Sequence, residues 1–495
     1  MHCFLTTTIG CKVNQYEAEA AAEYLRRLGL RRIQAETQGG PGRANLVVVN
    51  TCCVTATAAA KSRRAIRRAA REHPEAQLVI LGCAATEDPE ALRRAAVEAG
   101  AVGVHIAGHD GDVAACLQRA AKACGANQAS QPAGPVRDDV WMRARPENPA
   151  VGVSPSAVNV SEPITPPPAG QVKGNLGTAS LPAIRTFAGH QRAFVKVQDG
   201  CDAHCSYCIV PRLRRRIWSR PIDDVLREAR ELLAHGHKEI VLCGVFLGAY
   251  GQDTTRRRRW RQGPLLGELI RRLCRLEGLW RLRLSSLEPG DLTDELLAVF
   301  RDCPRLAPHL HLPLQSGSGR ILAKMNRQYG PGEYLRAVER LRKAMADPAI
   351  TTDILVGFPG ETEADFAETL RLARQVGFAR VHIFPFSPRP GTAAWKYRHL
   401  APPNEVVKER CRRLAELAGE LAGAFRRRFL GRTAEVLVER PNTRTPPGHH
   451  RGLSDRYIEV AFPKAAESED LTGRVVSVQL TGPSPTGLLG RRVQP

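Results

Sequence analysis

Residues Val197–Arg216 read VQDGCDAHCSYCIVPRLRRR. Three cysteines, Cys201, Cys205 and Cys208, stand in this stretch with gaps of three and two residues, and a basic run follows at once. A structural zinc ion wants four ligands, and no fourth cysteine or second CxxC pair lies nearby. His204 sits inside the loop, but its neighbour Cys205 competes geometrically for the same metal. A [4Fe–4S] cluster suits three thiols better. Each of its irons is usually held by one thiolate, so three leave one iron open for something exchangeable. A zinc knuckle and three buried thiols are the rival readings.

Outward from the loop, RAFVKVQDG (192–200) reads as a strand leading into it. Downstream, EIVLCGVFLG (239–248), LRLSSLEP (282–289), HLHLPLQ (309–315), ITTDILVGF (350–358) and RVHIFPFS (380–387) read as further strands. Helical segments such as DDVLREARELLAHG and EADFAETLRLARQVG separate most of them. Six strands in β/α order predict a full or partial parallel barrel whose chemistry collects at the C-terminal strand ends.

Upstream of about residue 125, CFLTTTIG, ANLVVVN and AQLVILG alternate with EAEAAAEYLRRLGL and TAAAKSRRAIRRAAREH. That βαβ order predicts a Rossmann-like α/β domain with a parallel sheet. Cys11, the pair Cys52–Cys53, and Cys83 each fall within a few residues of a C-terminal strand end. The crevice there is where such sheets bind ligands, so thiols distant in sequence can converge. The natural count is again three, with one choice between neighbours.

Between these blocks, residues 125–186 are rich in Pro, Gly, Ser and Ala and predict a flexible linker. After residue 426, RTAEVLVER, DRYIEVAFP and GRVVSVQLTG alternate in twos and predict a small antiparallel β-barrel. The expected division is therefore 1–124, 125–186, 187–425 and 426–495, a multidomain α/β protein.

Lys and Arg number 72 against 50 Asp and Glu, a formal charge of +22. Such an excess points to a polyanionic partner, nucleic acid, because each phosphate neutralised releases counterions. Frequent surface Arg in a GC-rich genome is the bland alternative. The runs PRLRRRIWSR (211–220) and RRRRWRQ (256–262), with Trp218 and Trp260, could pair phosphates and stack bases, against the rival of solvated basic faces. The N-terminal residues lack a secretory pattern, and no apolar run approaches the roughly 20 residues of a membrane span. A soluble, cytoplasmic protein is expected, so the fourteen cysteines should not form disulfides. Cys3, Cys116, Cys124, Cys243, Cys274, Cys303 and Cys411 read as ordinary core thiols.

CxxxCxxC between a strand and a helix, with Tyr207 before the last thiol, resembles the signature of the radical S-adenosylmethionine superfamily. The resemblance implies that the open iron chelates S-adenosylmethionine, whose reductive cleavage gives a 5′-deoxyadenosyl radical. It also implies a cofactor cradle: Gly244 in VLCGVFLG, Ser286 and Glu288 in LRLSSLEP, Gln315 and Ser316 in HLPLQSGS, and Gly357, Gly360 and Glu361 in DILVGFPGE. The N-terminal set GCKVNQYEAE, NTCCVT and GC resembles the methylthiotransferases. That likeness implies a second [4Fe–4S] cluster on Cys11, Cys52 and Cys83. Cys52 is chosen because the family's middle ligand follows Asn-Thr directly, which leaves Cys53 as a spare thiol. The C-terminal barrel corresponds to the family's TRAM domain.

TIGCKVNQYEAE, NTCCVT, KSRRAIRR and MNRQY are most similar to the MtaB type. Enzymes of that type act on N6-threonylcarbamoyladenosine at position 37, beside the anticodon of tRNA. A sister type prefers N6-isopentenyladenosine, and a third modifies an aspartate of a ribosomal protein. The resemblance thus implies a tRNA anticodon loop, a sulfur donor and a flavodoxin-like or ferredoxin-like electron donor as partners. An unstacked base in such a loop exposes C2 of a purine at little cost. The chain departs from the family at IVPRLRRRIWSR, where a Pro-Tyr-Ala-Arg-Gly type turn is usual, and in its long linker. A non-catalytic RNA-binding iron–sulfur regulator is the alternative of another class. The intact CxxxCxxC followed by a barrel weighs against it.

Overall fold

In the computed structural model residues 2–33, 44–126, 181–252 and 265–493 are described. Most of the expected linker and the run Arg256–Gln262 with Trp260 lie outside the described residues. β1 (Cys3–Thr8), β2 (Arg31–Arg32), β3 (Leu46–Thr51), β4 (Gln77–Gly82) and β5 (Gly103–Ala107) form an all-parallel sheet in the order β2-β1-β3-β4-β5. β3, LVVVNT, is buried at every position, as a parallel strand covered on both faces must be. Leu46 and Val48 face one layer, with helices α1 (Lys12–Arg27) and α5 (Val113–Ala123). Val47 and Val49 face the other, with α2 (Ala56–Glu72) and α4 (Pro89–Val97); the short α3 (Cys83–Glu87) opens directly from β4.

The central domain follows the expected order. β6 (Arg192–Asp199), β8 (Glu239–Gly244) and β9 (Arg281–Leu284) are parallel neighbours, with β7 (Trp218–Ser219) antiparallel on the outer edge of β6. A parallel bridge from Ser286 to His311 carries the arc on to β10 (His309–His311), β11 (Ala349–Val356) and β12 (Arg380–Pro385). Six parallel strands thus make a partial barrel, and β12 is half-exposed or exposed along its length. Ile184 and Phe187 pack into the barrel's core, so apolar residues before position 187 already belong to the folded body. At the other end, the helix Asn404–Arg427 runs across the expected 425/426 boundary.

β13 (Thr433–Glu439), β14 (His449–Ser454), β15 (Glu459–Pro463), β16 (Val475–Pro483) and β17 (Leu488–Arg492) close a small barrel in the order β13-β14-β15-β17-β16. Its pairings are antiparallel except β15 with β17, where the chain crosses over to lie parallel. This barrel docks on the N-terminal ends of the central strands. Arg283 of β9 is fully buried and donates to the carbonyls of Ser454 and Asp455, while its guanidinium lies 3.8 Å from the Tyr457 ring centre. The three-thiol loop follows the C-terminal end of β6, at the opposite rim. Among the described residues no helix is long and apolar enough to cross a membrane.

Candidate functional site

β6 ends at Asp199, and Gly200 turns the chain with φ +79°. A Cβ there would fall 2.0 Å from the Arg216 carbonyl oxygen, so the turn requires glycine. The loop is laced by backbone bonds: Cys201 N–H to the Arg214 carbonyl at 3.3 Å, Cys208 N–H to Cys205 at 3.0 Å, and Ser206 N–H to Met325 at 3.0 Å. Asn326 Nδ2 donates to the His204 carbonyl at 2.7 Å. Beside them, Arg327 donates to Cys205 Sγ at 3.3 Å and to Glu288 at 2.6 Å. Burial pushes the Cys208 thiol up to about 12, with repulsion from Cys205 and Cys201 adding to it. Burial also raises the Cys205 thiol, against the pull of Arg327. The three thiols therefore share one environment.

Gln198 ties this loop to the end of β8. Its Nε2 donates to the Asp199 and Gly200 carbonyls, each at 2.8 Å, and its Oε1 accepts Phe246 N–H at 2.8 Å. A Cβ on Gly244 would approach that oxygen to 3.0 Å. Ser286 is exposed at the end of β9, while the adjacent Ser285 hydroxyl is buried with no hydrogen-bond partner among the described residues. Gln315 adopts a left-handed φ of 65° and bridges to β11 through its own backbone groups.

Other expected cradle residues face inward. Ser316 is buried against Thr369. Glu361 is buried, accepts Arg410 at 2.9 Å and Gly357 N–H at 2.8 Å, and burial pushes its carboxyl up. Gly357 and Gly360 are both left-handed, at φ +81° and +77°. Thus Glu288 and Gly244 are linked to the thiol loop, whereas the Ser316 and Glu361 side chains are engaged by neighbouring helices.

The second set of thiols lies at three adjacent strand ends, β1, β3 and β4. A Cβ on Gly10, whose φ is +122°, would sit 3.0 Å from Cys52 Cβ, which measures how closely the first two turns approach. Cys11 is exposed, and its Sγ donates to Asn14 Oδ1 at 3.6 Å. Asn14 in turn donates to the carbonyls of Ile9 at 3.0 Å and Thr51 at 2.9 Å, and its own carbonyl accepts Asn50 at 2.7 Å. Ser62, on the inner face of α2, clamps Cys52 by accepting its N–H at 3.0 Å and donating to its carbonyl at 2.8 Å. His109 Nε2 stands 3.5 Å from Cys83 Sγ. Burial pushes the Cys83 thiol up to about 12; Arg214 opposes this, and the Cys52 and Cys11 thiols reinforce it. Cys53 packs into the core beneath α2 and α4, and burial raises its thiol.

Arg214 joins the two sets. Its guanidinium bonds Glu17 of α1 at 2.8 and 3.0 Å, Asp199 at 2.9 Å and Asn14 at 3.4 Å, while its carbonyl holds Cys201. Lys196 completes the buried group, 2.7 Å from Glu17 and 2.5 Å from Asp199. The run PRLRRRIWSR reads from sequence either as a phosphate-pairing, base-stacking stretch or as a solvated basic face, and the structure corrects both readings in part. Arg214 is buried, Arg220 pairs with Glu228, and Trp218 lies 5.2 Å beneath Lys196; Arg212, Arg215 and Arg216 are exposed. The run crosses the seam between two domains, where buried carboxylates on α1 and the helix Ile222–Ala234 need cations. Nothing in a run of arginines distinguishes those roles. Arg327 was likewise hidden inside MNRQY.

Among the described residues no three His, Cys, Asp or Glu side chains could hold a single metal ion. Cluster thiolates each take a separate iron, so wider convergence is what a [4Fe–4S] cube needs. Each set offers the three thiols such a cube takes; burial raises Cys52, Cys83, Cys205 and Cys208, so a metal binding there has to displace their protons. The unpartnered Ser285 hydroxyl, at the C-terminal end of β9, is the kind of polar atom a bound small molecule would satisfy.

Residues 195–373 match the Radical SAM superfamily, and residues 3–103 match the uncharacterized protein family UPF0004. The chain is 34% identical to threonylcarbamoyladenosine tRNA methylthiotransferase MtaB of Chlamydia pneumoniae, over 99% of this chain and 98% of that one. It is also 34% identical to tRNA-2-methylthio-N(6)-dimethylallyladenosine synthase of Thermobifida fusca, over 97% of this chain and 87% of that one. Among solved structures, the radical S-adenosylmethionine methyltransferase TsrM of Kitasatospora setae superposes with a TM-score of 0.50 at 16% identity, covering 80% of this chain and 74% of its own. That likeness concerns the fold alone.

Proposed function

The chain belongs to the radical S-adenosylmethionine tRNA methylthiotransferases, and we propose that it attaches a methylthio group to C2 of N6-threonylcarbamoyladenosine at position 37 of tRNA. The observation that carries the reading is that Arg214 touches both thiol groups: its carbonyl accepts Cys201 N–H, and its guanidinium reaches the Asn14 oxygen that Cys11 also bonds. Between the two activities named in the relatives, the threonylcarbamoyl one is carried by three relatives at 33–35% identity and the dimethylallyl one by a relative at 34%.

Cys201, Cys205 and Cys208 would hold the cluster whose open iron takes S-adenosylmethionine, and Cys11, Cys52 and Cys83 a second one. When bound, the first supplies the electron for reductive cleavage of S-adenosylmethionine and the second an iron site for sulfur. The chain's own residues supply position and charge. Arg327 donates to Cys205 and holds Glu288 beside it, and its charge favours the thiolate that a cluster needs. Gly244, Ser286, Gln315 and Gly357 lie at C-terminal strand ends as the cofactor cradle, while Glu361 braces the loop that carries Gly357. Asn14 and Ser62 hold Cys11 and Cys52 in place. An electron donor of flavodoxin or ferredoxin type and a separate sulfur donor complete the reaction.

Mass spectrometry of tRNA nucleosides from a strain lacking the gene tests the substrate: loss of the methylthiolated threonylcarbamoyl nucleoside is expected, and its persistence would overturn the reading. Anaerobic protein should carry about eight irons. Cys201→Ala should abolish 5′-deoxyadenosine formation. Cys83→Ala should retain about four irons and still form it, but lose methylthiolation.

A further inference from the structure

α2 presents Lys61, Arg63, Arg64, Arg67, Arg68 and Arg71 to solvent, while Ala59, Ser62, Ile66, Ala69 and Ala70 form its inner face. Among the described residues the carboxylate paired with this row is Glu72, 3.5 Å from Arg68. Arg63, Arg67 and Arg71 follow one another at i,i+4, as do Arg64 and Arg68. Each like-charge pair at that spacing costs an isolated helix roughly 0.2–0.5 kcal/mol. Arg71 in the last turn and the Arg68–Glu72 pair return a part of that cost, and the rest of the row does not help the fold. A counter-charge outside the chain accounts for the pattern.

The place of the helix narrows what supplies that charge. Thr55 caps it, three residues after Cys52, and Ser62 clamps Cys52 from within. Ala56 N–H donates to Ser387 Oγ, 2.9 Å away on the rim beyond β12. The helix thus starts beside Cys52, against the rim of the central domain, and runs about 26 Å away from it along the N-terminal sheet, at 1.5 Å per residue. The C-terminal barrel sits at the other end of the central strands, so its own basic residues are remote from the mouth where a base must enter.

We propose that the outer face of α2 binds the phosphate backbone of the substrate RNA next to the base being modified. This rests on the RNA-modifying reading above and adds the surface that reading lacks. An acidic protein, such as an electron donor, is the rival occupant. Protein interfaces are anchored by aromatic and large apolar side chains, and the exposed face of α2 carries none. A bare row of cations suits phosphates, which position an RNA without reading its sequence.

The test replaces Arg63, Arg67 and Arg71 together with Gln in the full, cluster-loaded chain, and measures tRNA affinity across a salt series. The affinity at about 0.15 M salt should fall by roughly tenfold or more, and the slope of log K against log salt should shrink by about 2 to 3. Arg→Lys at the same positions should preserve both. The melting temperature of the Gln variant should hold or rise, because like-charge repulsion has been removed. An unchanged salt slope would overturn the proposal. So would unchanged tRNA affinity with reduction by flavodoxin lost and reduction by dithionite kept, which would assign the face to a protein donor. Methylthiolation by the wild-type chain, assayed separately, reports on the parent reading. If it is absent while the salt slope still depends on α2, the surface stands and the assigned reaction falls.

Discussion

Arg327 meets a thiol and a carboxylate with the same guanidinium, 3.3 Å from Cys205 and 2.6 Å from Glu288. Hydrogen bonds to a charged partner contribute about 1.5–3 kcal/mol, so losing the bond to the thiolate should weaken cluster retention roughly ten- to hundredfold. Arg327→Met is expected to release iron from the Cys201 site to a chelator at that lower threshold, while Arg327→Lys keeps part of the hold; equal retention by all three would remove the role. Cys53 makes the opposite test, since its thiol packs into the core beneath α2. Cys53→Ala should leave about eight irons, whereas Cys52→Ala should leave about four. At this scale the sequence is legible where chemistry imposes spacing: CxxxCxxC can be read because three thiols must share one cube. Arg327 and Arg214 could not be read, because a cation's partner is chosen by tertiary approach, 122 residues away in the first case.

α1 shows what is lost between residue and element. EAEAAAEYLRRLGL has the charges of a surface helix, yet α1 is buried on nearly every side, with Val13, Tyr16 and Ala20 against the central domain and Ala21, Ala22 and Leu25 against the N-terminal sheet. Its glutamates are inside because each meets cations: Glu17 meets Lys196 and Arg214, Glu19 meets Arg26 and Arg32, and Glu23 meets Arg26 and Arg27. The βα alternation is readable since burial on two faces demands it; the second burial of α1 is not, because glutamate carries no mark of its partner. Burial alone would raise the Glu17 carboxyl, but Arg214, Lys196 and, more weakly, His109 hold it well below the usual carboxylate range. A depressed folded value gives stability that is complete above the unfolded value of about 4.3 and is lost as pH falls through the folded one. Glu17→Gln removes one of the two carboxylates that Arg214 and Lys196 share and should cost about 3 kcal/mol at neutral pH. The difference in unfolding free energy between wild type and Glu17→Gln should be flat from pH 7 to about 4.3 and shrink below it. A difference that begins to shrink near pH 6 would place the effect elsewhere.

Across the whole molecule, the C-terminal barrel is more than an appended module, because it seals the end of the central barrel opposite the thiols. Arg283 and Glu239 are both fully buried there and bonded at 2.6 Å, and Arg283 also needs the Ser454 and Asp455 carbonyls for its remaining donors. Tyr457 lies between Arg283 and His309, 3.8 Å from the guanidinium and 4.5 Å, edge-on, from the imidazole. It reaches that position with φ +57°, a left-handed conformation that costs a side-chain residue roughly 1–2 kcal/mol. The alternating strands of this barrel were legible from their period of two, but its docking was not, since one strained tyrosine in a turn leaves no periodic trace. Two substitutions separate packing from strain. Tyr457→Ala loses the ring and keeps the strained backbone, and should destabilise the chain by about 2 kcal/mol. At about 2–4 °C per kcal/mol in a large domain, the melting temperature should fall by roughly 4–8 °C. Tyr457→Gly loses the same ring but relaxes the backbone, so it should melt above Tyr457→Ala despite glycine's greater entropy in the unfolded chain. Both should retain about eight irons, because the plug and the thiols occupy opposite rims of one barrel. If Tyr457→Gly melts below Tyr457→Ala, the left-handed turn is unstrained and the plug is held by its carbonyls alone.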